Sequence, residues 1–148
     1  MNLDKYFKLE EKLSLFLKNR SITLLRLSMS FIYIWYGLLK IMGISPVEEL
    51  VYHATHWIAT HNFVIILGFY EVITGALLSA KKSLRLGLIL LFFQFPGTFL
   101  PLFLTPKDCF SSIPFGLTLE GQYIFKNLIL ISAALVLVAS LERKSIKN

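Results

Sequence analysis

Glu71 sits in the middle of an apolar run, Phe63 to Ala80, where a carboxylate is out of place. An unpaired carboxylate at the centre of a bilayer costs at least ~2.5–3 kcal/mol, so this one must be paired, protonated or hydrated. Its neighbours at helical spacing are Gly68, Thr74 and Gly75, small side chains that let a second helix come close. A second apolar run carries Arg26, Ser30, Tyr33, Gly37 and Lys40, stepping by four, three, four and three. That spacing lays them on one stripe of a helix. A third run brings Gln94 and Thr98, with Pro96, Gly97 and Pro101 placed to kink it or open its backbone. A fourth starts near Gln122, Lys126 and Asn127. Glu71, Lys40 and Lys126, with Tyr36, Gln94 and Asn127, are expected to form a polar network, with Arg26 and Tyr33 further along the same stripe. Two cations and one carboxylate leave a local positive balance. Such a site suits an anionic or a quinone-like carbonyl ligand, and a midplane carboxylate can also carry a proton. The plainer alternative is a Glu–Lys pair that locks two helices, with Lys40 or Lys126 snorkelling to the headgroups.

A second constellation is Glu49, His53 and His56, at i, i+4 and i+7 with His61 nearby. One helical face bearing a carboxylate and two imidazoles is a weak candidate for a divalent metal such as zinc, and also for an external pH sensor. No complete ligand motif is present, so interfacial histidines with hydrated tips are the preferred reading. Cys109 is the sole cysteine, which excludes an internal disulfide and a cysteine-rich metal site. It lies in the segment Thr105 to Phe110, just after Lys107, which favours a thiolate, and Asp108, which opposes it. An incidental loop thiol is preferred to a redox nucleophile. No phosphate loop, Ser-His-Asp set or CxxC pair occurs.

The elements that must hold these residues follow from composition. Of 148 residues 55% are hydrophobic and only 16% charged, with mean hydropathy +0.66. That excludes disorder, a fibrous protein and a nucleic-acid-binding arm, and leaves too much apolar surface for one small aqueous core. Four stretches reach the roughly 20 residues needed to cross a bilayer: 22–42, 63–80, 84–104 and 123–141. They are expected to be helices, because lipid cannot satisfy an open strand edge. Eleven basic residues flank one side: Lys5, Lys8, Lys12, Lys18, Arg20, Lys81, Lys82, Arg85, Arg143, Lys144 and Lys147. The other two loops hold Lys107 alone. Both termini and the 81–85 turn are therefore expected in the cytoplasm, and the net charge of +6 reads as topology rather than nucleic-acid binding.

Two flanking helices complete the expectation. Residues 1–20 form an amphipathic leader, with Tyr6, Leu9, Leu13 and Phe16 on one side, expected to lie in the inner headgroup layer. In loop 43–62, Ser45, Pro46 and Glu48 have the spacing of a helix start, and Trp57 and Tyr52 suit an outer interface. The expected fold is all-α: a single integral membrane domain, a four-helix bundle with an amphipathic N-terminal helix and a short interfacial helix.

Leu25-Arg26-Leu27-Ser28 followed by Trp35-Tyr36-Gly37-Leu38-Leu39-Lys40 resembles the start of the YkgB/RclC-like family of small inner-membrane proteins, within the wider DoxX-like group. Glu71-Val72-Ile73-Thr74-Gly75, Thr105-Pro106 and Gly121-Gln122-Tyr123-Ile124-Phe125-Lys126-Asn127 continue it in order over nearly all of residues 22–141. The first outer loop is shorter than the family pattern. The resemblance implies a bacterial inner-membrane protein and an accessory role in redox or oxidant-stress physiology, since some members are linked to reactive-chlorine resistance and a DoxX-like relative to quinone-dependent thiosulfate oxidation. The cofactor stays open, with quinone the candidate. The implied contacts are the lipid bilayer and a second copy or an oxidoreductase, with no nucleic acid. Other DoxX-like members are cargo receptors or assembly chaperones. A small oligomeric transporter or proton-coupled permease, and a non-catalytic scaffold or assembly factor, therefore stand as alternatives.

Overall fold

The computed structural model describes residues 3–45, 48–55 and 61–145, with side chains over 6–18, 20–45, 48–53 and 62–141. Helix α1 (Leu3–Ile41) is 39 residues long. No glycine or proline interrupts it before Gly37, so nothing in the backbone stops the helix between leader and span. At about 1.5 Å per residue it measures about 58 Å, nearly twice a hydrocarbon core. The separate leader expected from the sequence is thus the first half of one continuous helix. Its apolar residues Tyr6, Leu9, Leu13 and Phe16 are all exposed.

Helix α2 (Glu48–Thr55) follows, then α3 (His61–Ser79), α4 (Leu84–Phe99), α5 (Pro101–Leu104) and α6 (Pro106–Cys109). A two-stranded antiparallel hairpin, β1 (Phe110–Ser112) and β2 (Gly116–Leu117), leads into α7 (Leu119–Phe125) and α8 (Asn127–Ser145). Four segments are long and apolar enough to cross a membrane: Arg20–Ile41, Asn62–Ser79, Leu84–Leu104 and Leu119–Leu141. The fourth begins four residues earlier than expected, because α7 extends it. Pro96 lies inside α4, and the helix breaks at Leu100, one residue before Pro101. Pro101 has no N–H to return to the preceding turn, and the Leu100 N–H donates to Gly97 O instead, at 3.3 Å.

The four long helices touch in a closed order, α1 to α3, α3 to α4, α4 to α8 and α8 back to α1. Their shared core is Met29, Tyr33, Leu78, Leu84, Leu88, Leu91, Phe95, Ala134 and Leu137. Large apolar side chains also cover the outside: Phe93 in α4 is 78% exposed, and Phe31, Trp35, Ile66, Phe69 and Ile129 are exposed as well. A soluble protein does not present so continuous an apolar surface; a lipid environment fits it.

At the end away from the termini, α2, α5, α6 and α7 gather around Leu50, Cys109 and Ile124, with Phe99, Leu102 and Phe110 packed against them. Thr118 caps α7 by accepting the Gly121 N–H at 3.1 Å and donates its hydroxyl to Asp108 O at 2.6 Å. A Cβ on Gly121 would collide with the Cys109 carbonyl, so only glycine admits this packing. Glu48 N–H donates to Ser45 O, consistent with a helix start at Ser45. Pro46, Trp57 and His56 lie outside the described residues, as do the side chains of His61, Lys5, Arg143 and Lys144 and the whole of Lys147.

Candidate functional site: a buried ion pair between α1 and α3

The site begins with three glycines. A Cβ on Gly37 would stand 2.6 Å from Gly68 O, and one on Gly75 2.8 Å from Ser30 O. The absent side chains let α1 and α3 run antiparallel, nearly backbone to backbone. Ser30 uses that closeness to donate its hydroxyl to Gly75 O at 2.6 Å. Gly68 and Gly75 bracket Glu71 on the same face of α3, three residues before and four after it.

Within this seam the Lys40 Nζ donates to Glu71 Oε2 at 2.7 Å. Lys40 is 5% and Glu71 8% exposed. The second carboxylate oxygen, Oε1, accepts from Gln94 Nε2 of α4, also at 2.7 Å. Three helices therefore meet at one carboxylate, and both its oxygens are engaged. Taking either ion from water alone costs several kcal/mol, and the mutual attraction offsets this only when geometry is good and further hydrogen bonds are made. The Gln94 amide is that further bond.

Beside the carboxylate, two polar atoms lack partners among the described residues: Gln94 Oε1, and Thr74 Oγ1 one turn along α3 from Glu71. Asn127 Nδ2, at the start of α8, is likewise buried without a partner. Tyr36 meets Tyr123 with ring centroids 5.9 Å apart, one turn before Asn127. Tyr33 is buried, and both Tyr33 and Tyr123 are near enough to Glu71 to feel its charge. The Tyr70 hydroxyl donates to Leu90 O at 2.6 Å and fastens α3 to α4.

The structure thus brings together Lys40, Glu71 and Gln94 by direct bonds; Tyr33 is buried in the bundle core, Tyr36 stands against Tyr123, and Asn127 opens α8. Two expected members stand apart. Lys126 occupies the turn between α7 and α8, is exposed, and among the described residues makes no ion pair or side-chain hydrogen bond. With it outside, the centre holds one cation and one anion, and the expected positive balance is gone. The physical reason is that the α7–α8 break turns Lys126 outward, which periodicity alone does not reveal. Arg26 lies fourteen positions before Lys40, about 21 Å along α1, and is buried separately. Sequence reasoning missed Thr74 as an unpaired hydroxyl and Tyr123 as the ring partner of Tyr36. Their helical spacing from Glu71 and Asn127 was the available signal.

The histidine constellation takes a different form. His53 Nδ1 lies 3.2 Å from Asp108 Oδ2, joining α2 to α6, while Glu49 is exposed. Among the described residues no three His, Cys, Asp or Glu side chains gather as a metal site. Cys109 is fully buried; burial, then Asp108 and Glu120, push its thiol above the ordinary cysteine range. A buried neutral thiol is inert, which agrees with an incidental cysteine.

Comparison of the chain with protein-family models, with curated proteins and with solved structures finds no match.

Proposed function

We propose that this chain is a multi-pass protein of a bacterial inner membrane, with both termini cytoplasmic, serving redox or oxidant-stress physiology by holding a small quinone-like ligand. The resemblance of residues 22–141 to YkgB/RclC-like and DoxX-like proteins supports the physiological setting. The clustering of basic residues at one end supports the orientation. The observation that carries the ligand reading is the Lys40–Glu71–Gln94 centre with the unpaired Gln94 Oε1 and Thr74 Oγ1, together with the unpaired Asn127 Nδ2 at the start of α8. Buried polar atoms without partners are rare in native proteins and invite an explanation. With the charges balanced one to one, the site favours a neutral ligand over an anion. Thr74 and Asn127 supply donors for carbonyl oxygens, and the flanking tyrosine rings supply an apolar wall.

The test is binding of a short-chain ubiquinone and a menaquinone analogue to the purified protein in detergent, followed by tryptophan fluorescence and calorimetry. Saturable binding that Asn127→Leu and Thr74→Val weaken supports the reading. No binding by the unmodified protein removes it. A proton-coupled permease draws on the same acid–base pair, and proton flux in liposomes that Glu71→Gln abolishes would favour it instead.

A further inference from the structure

Arg26 is a further buried charge in the first span, and nothing in the Lys40–Glu71 centre uses it. It is 7% exposed, and among the described residues its guanidinium makes no ion pair and no hydrogen bond; Nη1 is fully enclosed. Arginine stays protonated in proteins, so this is a permanent buried cation.

Its surroundings offer it few free acceptors among the described residues. The register set by Lys40–Glu71 and Ser30–Gly75 places Arg26, one turn beyond Ser30, level with the C-terminus of α3. The natural acceptors there are the last carbonyls of α3. Gly75 O already accepts from Ser30, Ala76 O from Ser79, and Leu77 O from Ser83. The negative end of the α3 dipole offsets only part of the desolvation of an unpaired cation. Among the described residues, the buried core that includes Met29, Leu78, Leu84 and Leu137 is apolar.

Geometry also gives the guanidinium a direction. Side chains on a helix lean toward its N-terminus. For Arg26 that is the basic end of the molecule, where Lys18, Arg20, Lys81, Lys82 and Arg85 are exposed. Arg26 begins six positions inside Arg20, about 9 Å along the axis. An arginine side chain is long enough to span part of that distance.

We infer that Arg26 is a recognition site for a phosphate oxyanion at the basic end of the protein, the phosphate being that of an anionic phospholipid headgroup or a free phosphate from the aqueous side. The planar guanidinium matches two phosphate oxygens at once, and the exposed lysines and arginines around the rim raise the local anion concentration. The site is independent of the quinone reading: it lies toward the other end of the Arg20–Ile41 span and shares no residue with that centre.

The protein, stripped of lipid in a neutral detergent, is melted with added phosphatidylglycerol, with diacylglycerol of the same chains, and with inorganic phosphate. Phosphatidylglycerol is expected to raise the Tm by on the order of 5 °C, and diacylglycerol to leave it unmoved. A rise with inorganic phosphate as well assigns the site to free oxyanions; a rise with phosphatidylglycerol alone assigns it to the headgroup. Arg26→Lys should retain the response with roughly tenfold weaker apparent affinity, and Arg26→Gln should lose it. A response equal with diacylglycerol, or one that Arg26→Gln keeps and Lys81→Gln/Lys82→Gln loses, overturns the inference. Should Arg26→Gln fail to fold, native mass spectrometry of the unmodified protein decides. Retained phosphatidylglycerol or phosphate, weakened in Arg26→Lys, sustains the site, and a bare protein overturns it.

Discussion

The Lys40 ammonium and the Glu71 carboxylate, 31 positions apart in the chain, stand 2.7 Å from each other inside the α1–α3 seam. Removing one partner strands the other in a low-dielectric interior. Lys40→Met and Glu71→Leu are each expected to lower stability by about 3 kcal/mol. The double variant should lose less than the sum, with a coupling of roughly 1–3 kcal/mol. Reversible unfolding in mixed micelles measures all three, and additive single effects would contradict the pairing.

The seam itself depends on glycine. A Cβ on Gly37 meets Gly68 O at 2.6 Å, whereas one on Gly97 meets nothing within 4 Å. Gly37→Ala should therefore cost about 1–3 kcal/mol, and Gly97→Ala should be neutral or mildly stabilising. The same unfolding titration distinguishes them. Equal effects at the two sites would mean that α1 and α3 are not in backbone contact.

Gln94 holds the outer oxygen of the same carboxylate. Gln94→Leu is expected to cost about 1–2 kcal/mol, and Gln94→Glu more, since it sets a second carboxylate against Glu71. Lys126, exposed in the α7–α8 turn, supplies the contrast. Lys126→Gln should change stability by less than about 0.5 kcal/mol. A large loss there would return Lys126 to the polar centre.

Cys109 carries a pH signature. Its folded pKa is raised by burial and by Asp108 and Glu120, so the folded protein holds that proton more tightly than the unfolded chain does. The resulting stability is fully present below the unfolded value and falls as pH climbs above the ordinary 9.0. Unfolding midpoints should decline in alkali, and Cys109→Ala should flatten that slope at some cost in packing. Maleimide should label Cys109 slowly at neutral pH until the protein is unfolded. Prompt labelling of the folded protein would contradict the burial.

Much of this was written in the residue order. Four apolar runs of membrane length can only be helices, since a spanning backbone must satisfy its own hydrogen bonds, and a carboxylate at position 71 demanded a partner. Period alone put Lys40 on the inward stripe of α1 and small residues on the matching stripe of α3. The hairpin at 110–117 and the gathering of α2, α5, α6 and α7 were not legible, because short elements draw their stability from contacts distant in sequence. The pairing of His53 with Asp108 was hidden for the same reason.

What the sequence determined is the set of solvents and the faces: which stretches meet lipid, and which side of each helix turns inward. Only the tertiary structure decided which inward polar groups share a centre. A stripe fixes direction about an axis but not distance along it, nor whether a break such as that at Lys126 turns a side chain away. That is why Lys40, Glu71 and Gln94 converge, while Arg26 is buried apart and Lys126 faces out.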